Sequence, residues 1–268
     1  MEFEKIGAGT IQALVSGAVL SVVLPLGIMI FWKIKKKEPV TSILAGVFIF
    51  VVFALMIEKS LQAVVIMIDH PVSRFINAHP LCLAFVTAVF AGVFEETGRM
   101  AAYQILLKKR TNKETAISYG LGHGGAEVIF VLGITFIQYT LYAQMINQGP
   151  YHTLVEQIPE QADTFKELAK TIAGFGVGNL CVSMFERCSA VLFHVGASIL
   201  VFYACRERGK FWLYPLAIGL HTFMDFLVAL YAFQILKVPV AVLEGALLIF
   251  GLLTFYMAYM RLYRKEGE

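Results

Sequence analysis

Residues 81–107 read LCLAFVTAVFAGVFEETGRMAAYQILL. The run is apolar over the length a helix needs to cross a bilayer core, about 20 residues, yet Glu95, Glu96 and Arg99 stand near its middle. Whether those charges face water or a membrane interior decides the fold. Of 268 residues, 58% are hydrophobic and only 15% charged, where soluble domains carry about 25% charged residues. Apolar runs of spanning length recur at roughly 10–32, 40–67, 81–107, 114–146, 188–205, 211–232 and 238–260. The chain therefore reads as all-α, a polytopic transmembrane bundle with a central buried polar site, in one integral membrane domain over residues 1–268.

A further segment at 167–185 leaves seven or eight spans open. Lys33, Lys35, Lys36 and Lys37 follow the first span, and Lys108, Lys109, Arg110 and Lys113 follow the third. The bias of basic residues toward the cytoplasm puts both clusters inside. If 167–185 does not cross, CRERGK (205–210) and RLYRKEGE (261–268) join them there. Three glycines, at 174, 176 and 178, and a polar start favour that seven-span arrangement, with an extracytoplasmic loop at about 147–166. The first apolar run is too long for a signal-peptide core and is expected to remain as a helix.

The net charge of +3 is small, and the basic residues cluster at span ends rather than along a face that could follow phosphates, which argues against nucleic acid as a partner. Cys82, Cys181, Cys188 and Cys205 lack the spacing of a metal knuckle and lie in or beside apolar runs. The partner that composition implies is the lipid bilayer.

An ionisable group at mid-bilayer costs at least about 2.5 kcal/mol on insertion scales, so each one is a functional candidate. Four spans carry them: Glu95, Glu96 and Arg99; His123 and Glu127; His194; and His221 with Asp225. At the helical rise, Glu95, His123, His194 and His221 lie roughly 18, 15, 16 and 15 Å from the basic ends of their spans. Glu95 and Arg99, His123 and Glu127, and His221 and Asp225 are each i,i+4 and share a helix face; Arg187 and His194, seven apart, do so as well. The charges can thus converge on one interior site. Imidazole nitrogens with a carboxylate oxygen are a ligand set for zinc, which in catalytic sites leaves a position for water. Zinc lowers the pKa of that water to about 7, and a glutamate beside it can act as general base. Such a base can pass the water's proton on to a leaving amine.

The ordered series EExxR at 95–99, a His on the next span, Arg187 followed seven residues later by His194, and HxxxD at 221–225 resembles the YhfC-type intramembrane metalloprotease family. That family is related to PrsW-type proteases and, more remotely, to the CAAX prenyl protease and bacteriocin-processing superfamily. The resemblance covers the core from about 90 to 228, and in general length the whole chain; it implies a catalytic core of about 81–232 and a peptide or membrane-protein substrate. It implies a membrane-embedded metallopeptidase, with Glu95, Glu96, Arg99 and Asp225 as catalytic residues and His123, His194, His221 and Glu127 as the metal set. Zinc is the implied cofactor, with metal-free activation of water by a Glu and His pair as the alternative, and the bacterial cytoplasmic membrane is the implied location. Asp225 stands where relatives often have Asn, and Arg99 is closer to its Glu pair than in the prenyl proteases, which argues against a prenylated substrate.

The same acids and histidines could serve as the relay of a proton- or ion-coupled transporter. Such carriers often show inverted repeats with broken helices in corresponding positions, and none is visible in this sequence. Glu127 and Asp225 read equally well as partners that orient a His. Glu244 reads as a structural group in the last span, and His70, His79 and His152 as loop residues.

Overall fold

The computed structural model describes residues 3–264, so Lys265, within the basic C-terminal cluster, lies outside the described residues. Its helices are α1 (Ala8–Lys36), α2 (Val40–Met67), α3 (Pro71–Ala78), α4 (Pro80–Leu106), α5 (Glu114–Gln148), α6 (Pro150–Gln157), α7 (Ala162–Ala173), α8 (Val177–Arg206), α9 (Leu213–Ala232) and α10 (Val240–Tyr263). Seven of these, α1, α2, α4, α5, α8, α9 and α10, are long and apolar enough to cross a membrane. Lipid offers no hydrogen-bond partners, so a spanning segment must satisfy its own backbone, and helices do so.

The segment at 167–185 resolves as two things. Its first part belongs to α7, a short amphipathic helix, and after Gly174 its remainder forms the opening turns of α8. The expected span at 188–205 therefore begins at Val177, earlier than hydropathy suggests. Glu186 and Arg187 look like the polar end of a span, but Arg187 pairs with Glu186 and, at 2.5 Å, with Glu127, which lets the helix run on.

The chain divides into two compact units. One comprises the chain up to Leu26 with Glu127–Arg187. Its core joins Leu14, Phe136, Ile146, Tyr151 and Ile172. Asn147 clasps the N-terminal segment from both sides, its Oδ1 accepting from the Ile6 N–H at 2.8 Å and its Nδ2 donating to the Ile6 carbonyl at 2.9 Å. Gly149, with φ of +101°, ends α5 in the left-handed conformation that glycine adopts without a Cβ penalty.

The other unit comprises Gly27–Ala126 and the chain from Cys188 onward. One end of it is basic and tied together. Arg206 donates to the carbonyls of Tyr103, Leu107 and Arg110 at 3.0, 2.8 and 3.1 Å. Lys113 donates to the Tyr263 carbonyl at 3.1 Å, and Glu38 accepts from Ser42, Thr115 and Asn112. The ends of α1, α4, α8 and α10 thus gather with their Lys and Arg clusters at one pole, as the seven-span arrangement requires.

Small residues set the helix spacing that the site depends on. A Cβ on Gly122 would collide with the Ile43 carbonyl, and one on Gly46 with the Tyr119 carbonyl, so α2 and α5 meet backbone to backbone beside His123. Gly122→Ala is accordingly expected to destabilise the protein by about 1–3 kcal/mol through overpacking. Gly219→Ala, where nothing lies within 4 Å of the new Cβ, is expected to change little. Unfolding of the two variants in the same detergent checks this; equal midpoints would mean that the α2–α5 approach is not a tight one.

Candidate functional site

Four helices of the second unit deliver the polar residues. α4 carries Glu95, Glu96 and Arg99, α5 carries His123, α8 carries His194, and α9 carries His221 and Asp225. Glu96, Arg99 and His123 are fully buried, while Glu95, His194 and His221 are nearly so. Adjacent carboxylates on α4 point to different partners, because successive residues on a helix are about 100° apart.

Glu96 is the structural member. Its Oε2 pairs with Arg99 Nε at 3.2 Å, and its Oε1 accepts from His221 Nδ1 at 2.8 Å. Arg99 in turn donates to the His194 carbonyl at 2.8 Å and to Ser198 Oγ at 2.9 Å, and approaches His194 Nδ1 at 3.1 Å. One guanidinium thereby connects α4 to α8. Its fork of N–H groups suits that task better than a lysine ammonium would.

Glu95 is the less enclosed member. Its Oε2 accepts from His123 Nε2 at 2.9 Å and lies 3.9 Å from His221 Nε2. Exposure of the side chains rises from 0% at Glu96 to 11% at Glu95 and 38% at Asp225. Glu95, rather than Glu96, is thus the acid that a substrate can reach. Asp225 lies 3.7 Å from His221 Nε2 on the open side.

Ring tautomers follow from these partners. His221 donates through Nδ1 to Glu96, so its neutral ring presents an Nε2 lone pair toward Glu95. A carboxylate behind a histidine in this way is the common support of a metal-ligating imidazole. Arg99 has only donors, so Nδ1 of His194 accepts and the proton of its neutral ring sits on Nε2. His123 donates through Nε2 to Glu95, which makes it a partner of that carboxylate.

Ligand atoms of Glu95, His194 and His221 lie within 4.8 Å of one another. Two imidazoles and one carboxylate match the protein ligands of a catalytic zinc set in number and kind. Glu95 and His221 fit as they stand; His194 fits by position, and offering its Nε2 would require the ring proton to move to Nδ1 and the Arg99 contact there to turn away.

The sequence places His123 among the ligands; in the structure its Nε2 lies 2.9 Å from Glu95 Oε2. Glu127 belongs to the other unit, where its carboxylate engages Arg187, and it is not in the group whose ligand atoms gather. Ser198 and Glu58, both buried, were absent from the candidates. Ser198, one turn after His194, accepts from Arg99 and donates to the His194 carbonyl at 2.6 Å. Glu58 was marked in the sequence by the criterion that picked out Glu95, an ionisable residue inside an apolar span.

A family model described as YhfC intramembrane metalloprotease matches residues 20–247. The chain belongs to this family. It is also 27% identical over 227 residues to a Bacillus subtilis (strain 168) protein described as "Uncharacterized membrane protein YhfC", covering 85% of this chain and 86% of that relative. No solved structure matches. The family match contains every residue of the Glu and His site.

Proposed function

We propose that the protein is an intramembrane endopeptidase that hydrolyses peptide bonds of membrane-embedded or membrane-near substrates. The observation that carries this is the pairing of a sealed carboxylate, Glu96, with a reachable one, Glu95, against histidines from three other helices. Membership in a family named for metalloprotease activity supports it.

In this reading Glu95 receives the proton of the attacking water and passes it to the leaving amine. His123 holds the carboxylate of Glu95 in place, and Glu96 fixes the orientation of His221. Arg99 compensates the charge of Glu96 and anchors the α8 backbone at His194. Asp225, on the open side, faces the incoming substrate. His194 and His221 would hold a divalent metal, zinc by donor type, with the Glu95 carboxylate beside it. When bound, such an ion lowers the pKa of its water and polarises a carbonyl oxygen. With the basic pole facing the cytoplasm, the location is a bacterial cytoplasmic membrane.

The test is a reconstitution with a panel of single-span peptides, read by mass spectrometry for new termini, together with metal analysis. Cleavage is expected, with about one equivalent of metal in the wild type and little in His221→Ala, each shown to be folded. Equal metal in both would remove His221 from the ligand set, and metal-free protein that still cleaves would leave Glu95 and His123 as the water-activating pair. Intact peptides together with proton movement across the liposomes would instead make the protein a carrier.

A further inference from the structure

Every hydrolytic turnover consumes one water, and the site lies far from either end of the spans. Counted along α4 at the helical rise, Glu95 is about 22 Å from Pro80 and about 16 Å from Leu106. A polar route must therefore reach it, and the structure contains a buried carboxylate that the site described so far does not use.

Glu58, on α2, is 1% exposed. It lies about 14 Å from Met67 and about 27 Å from Val40 along its helix, hence closer than Glu95 to the pole opposite the basic clusters. It is near enough to Glu95 and His221 to interact with both electrostatically. Its Oε1 accepts from Lys59 Nζ at 2.7 Å and Gln62 Nε2 at 3.0 Å, and Gln62 also reaches the Thr87 carbonyl on α4 at 3.4 Å. The Lys59 side chain is 57% exposed. Oε2 of Glu58 is buried and makes no hydrogen bond among the described residues. Buried carboxylate oxygens need a donor, and a water molecule supplies one where protein does not. α2 also widens here into i→i+5 turns at Phe50–Glu58 and Ala63–Met67, a distortion frequent at functional positions. The exposure of Asp225, one turn beyond His221 on α9, opens the site toward the same pole.

We propose that Glu58 marks a water-entry path to Glu95 that opens at the pole opposite the basic clusters, with Lys59 and Gln62 at its mouth. Glu58 is then a positioning residue, acting on the water that Glu95 uses. The need for such a path rests on the hydrolytic reading, but its existence is testable without any cleavage.

Single cysteines are placed at Glu58, at Gln62 and at lipid-facing Phe48, 55% exposed on the same helix, after Cys82, Cys181, Cys188 and Cys205 are replaced by serine. A charged, membrane-impermeant methanethiosulfonate is added from either side of oriented membrane vesicles. Glu58→Cys and Gln62→Cys are expected to react at least tenfold faster than Phe48→Cys, and only from the non-basic side. Gln62→Cys guards against a folding defect at Glu58. Rates equal to that of Phe48→Cys, or reaction only from the basic side, would overturn the path. In the peptide assay, Glu58→Leu is expected to lower kcat about tenfold or more with KM unchanged, and Glu58→Gln, still able to bond water, to restore most of it. Labelling without cleavage by the wild type keeps the path and removes the peptidase reading; cleavage without labelling does the reverse.

Discussion

Glu95→Gln is expected to lower peptide turnover by about a hundredfold to ten-thousandfold, the range that general-base catalysis contributes. The amide has nearly the volume of the carboxylate, and its oxygen can still accept the hydrogen bond that His123 Nε2 gives Glu95 at 2.9 Å. What it loses is the capacity to take a proton from water. Because Glu96, Arg99 and His221 keep their own contacts, folding should be little affected. The measurement is kcat in liposomes beside thermal unfolding of the same preparation. A variant that unfolds like the wild type and cleaves at an unchanged rate would take Glu95 out of the mechanism.

Arg99→Met is expected to have the largest effect on stability, about 3–5 kcal/mol, because removing one partner strands a buried charge. Arg99 is fully buried and serves Glu96, the His194 carbonyl and Ser198 together. Methionine has a similar stem and no donors, so packing is largely kept while Glu96, Ser198 and both acceptors of His194 lose the Arg99 donor. The double variant with Glu96→Gln should recover part of the loss, since the stranded charge is then gone, and the non-additivity measures their coupling. Equilibrium unfolding in mixed micelles reads both. If Arg99→Met unfolds with the wild type, the cluster is not what holds α4 to α8.

Much of this was visible in the sequence because a membrane penalises exceptions. Glu95, Glu96, His123, His194 and His221 stood out against apolar spans, and their common depth followed from the helical rise alone. Less visible were the partners. Whether a histidine ligates a metal or supports a carboxylate depends on which nitrogen faces which group, and spacing says nothing of ring orientation; that His123 Nε2 meets Glu95 was not legible for that reason. Glu127 shares a face with His123 by periodicity, yet Arg187 is the group it meets. Arg187 also hid the start of α8, because hydropathy scores a paired charge as it scores a solvated one. Glu58 and Lys59 lie well inside the span read at 40–67, so the same penalty marked them, but neither the burial of Glu58 nor its contact with Gln62 follows from spacing.

The glycine contacts between α2 and α5 bear on how a substrate would enter. A peptidase inside a bilayer has to admit a stretch of chain sideways, which requires two of its helices to part. Where Gly46 and Gly122 bring backbone against backbone, no side chain can swing aside to make room, and separation would forfeit the whole close-packed seam at once. The same holds where Gly92 of α4 meets Thr222 and the Ile218 carbonyl of α9. These two seams behave as welds. A doorway in this unit belongs at a seam of ordinary side chains, where rotamer changes can open a gap while the welded pairs carry the catalytic groups unchanged.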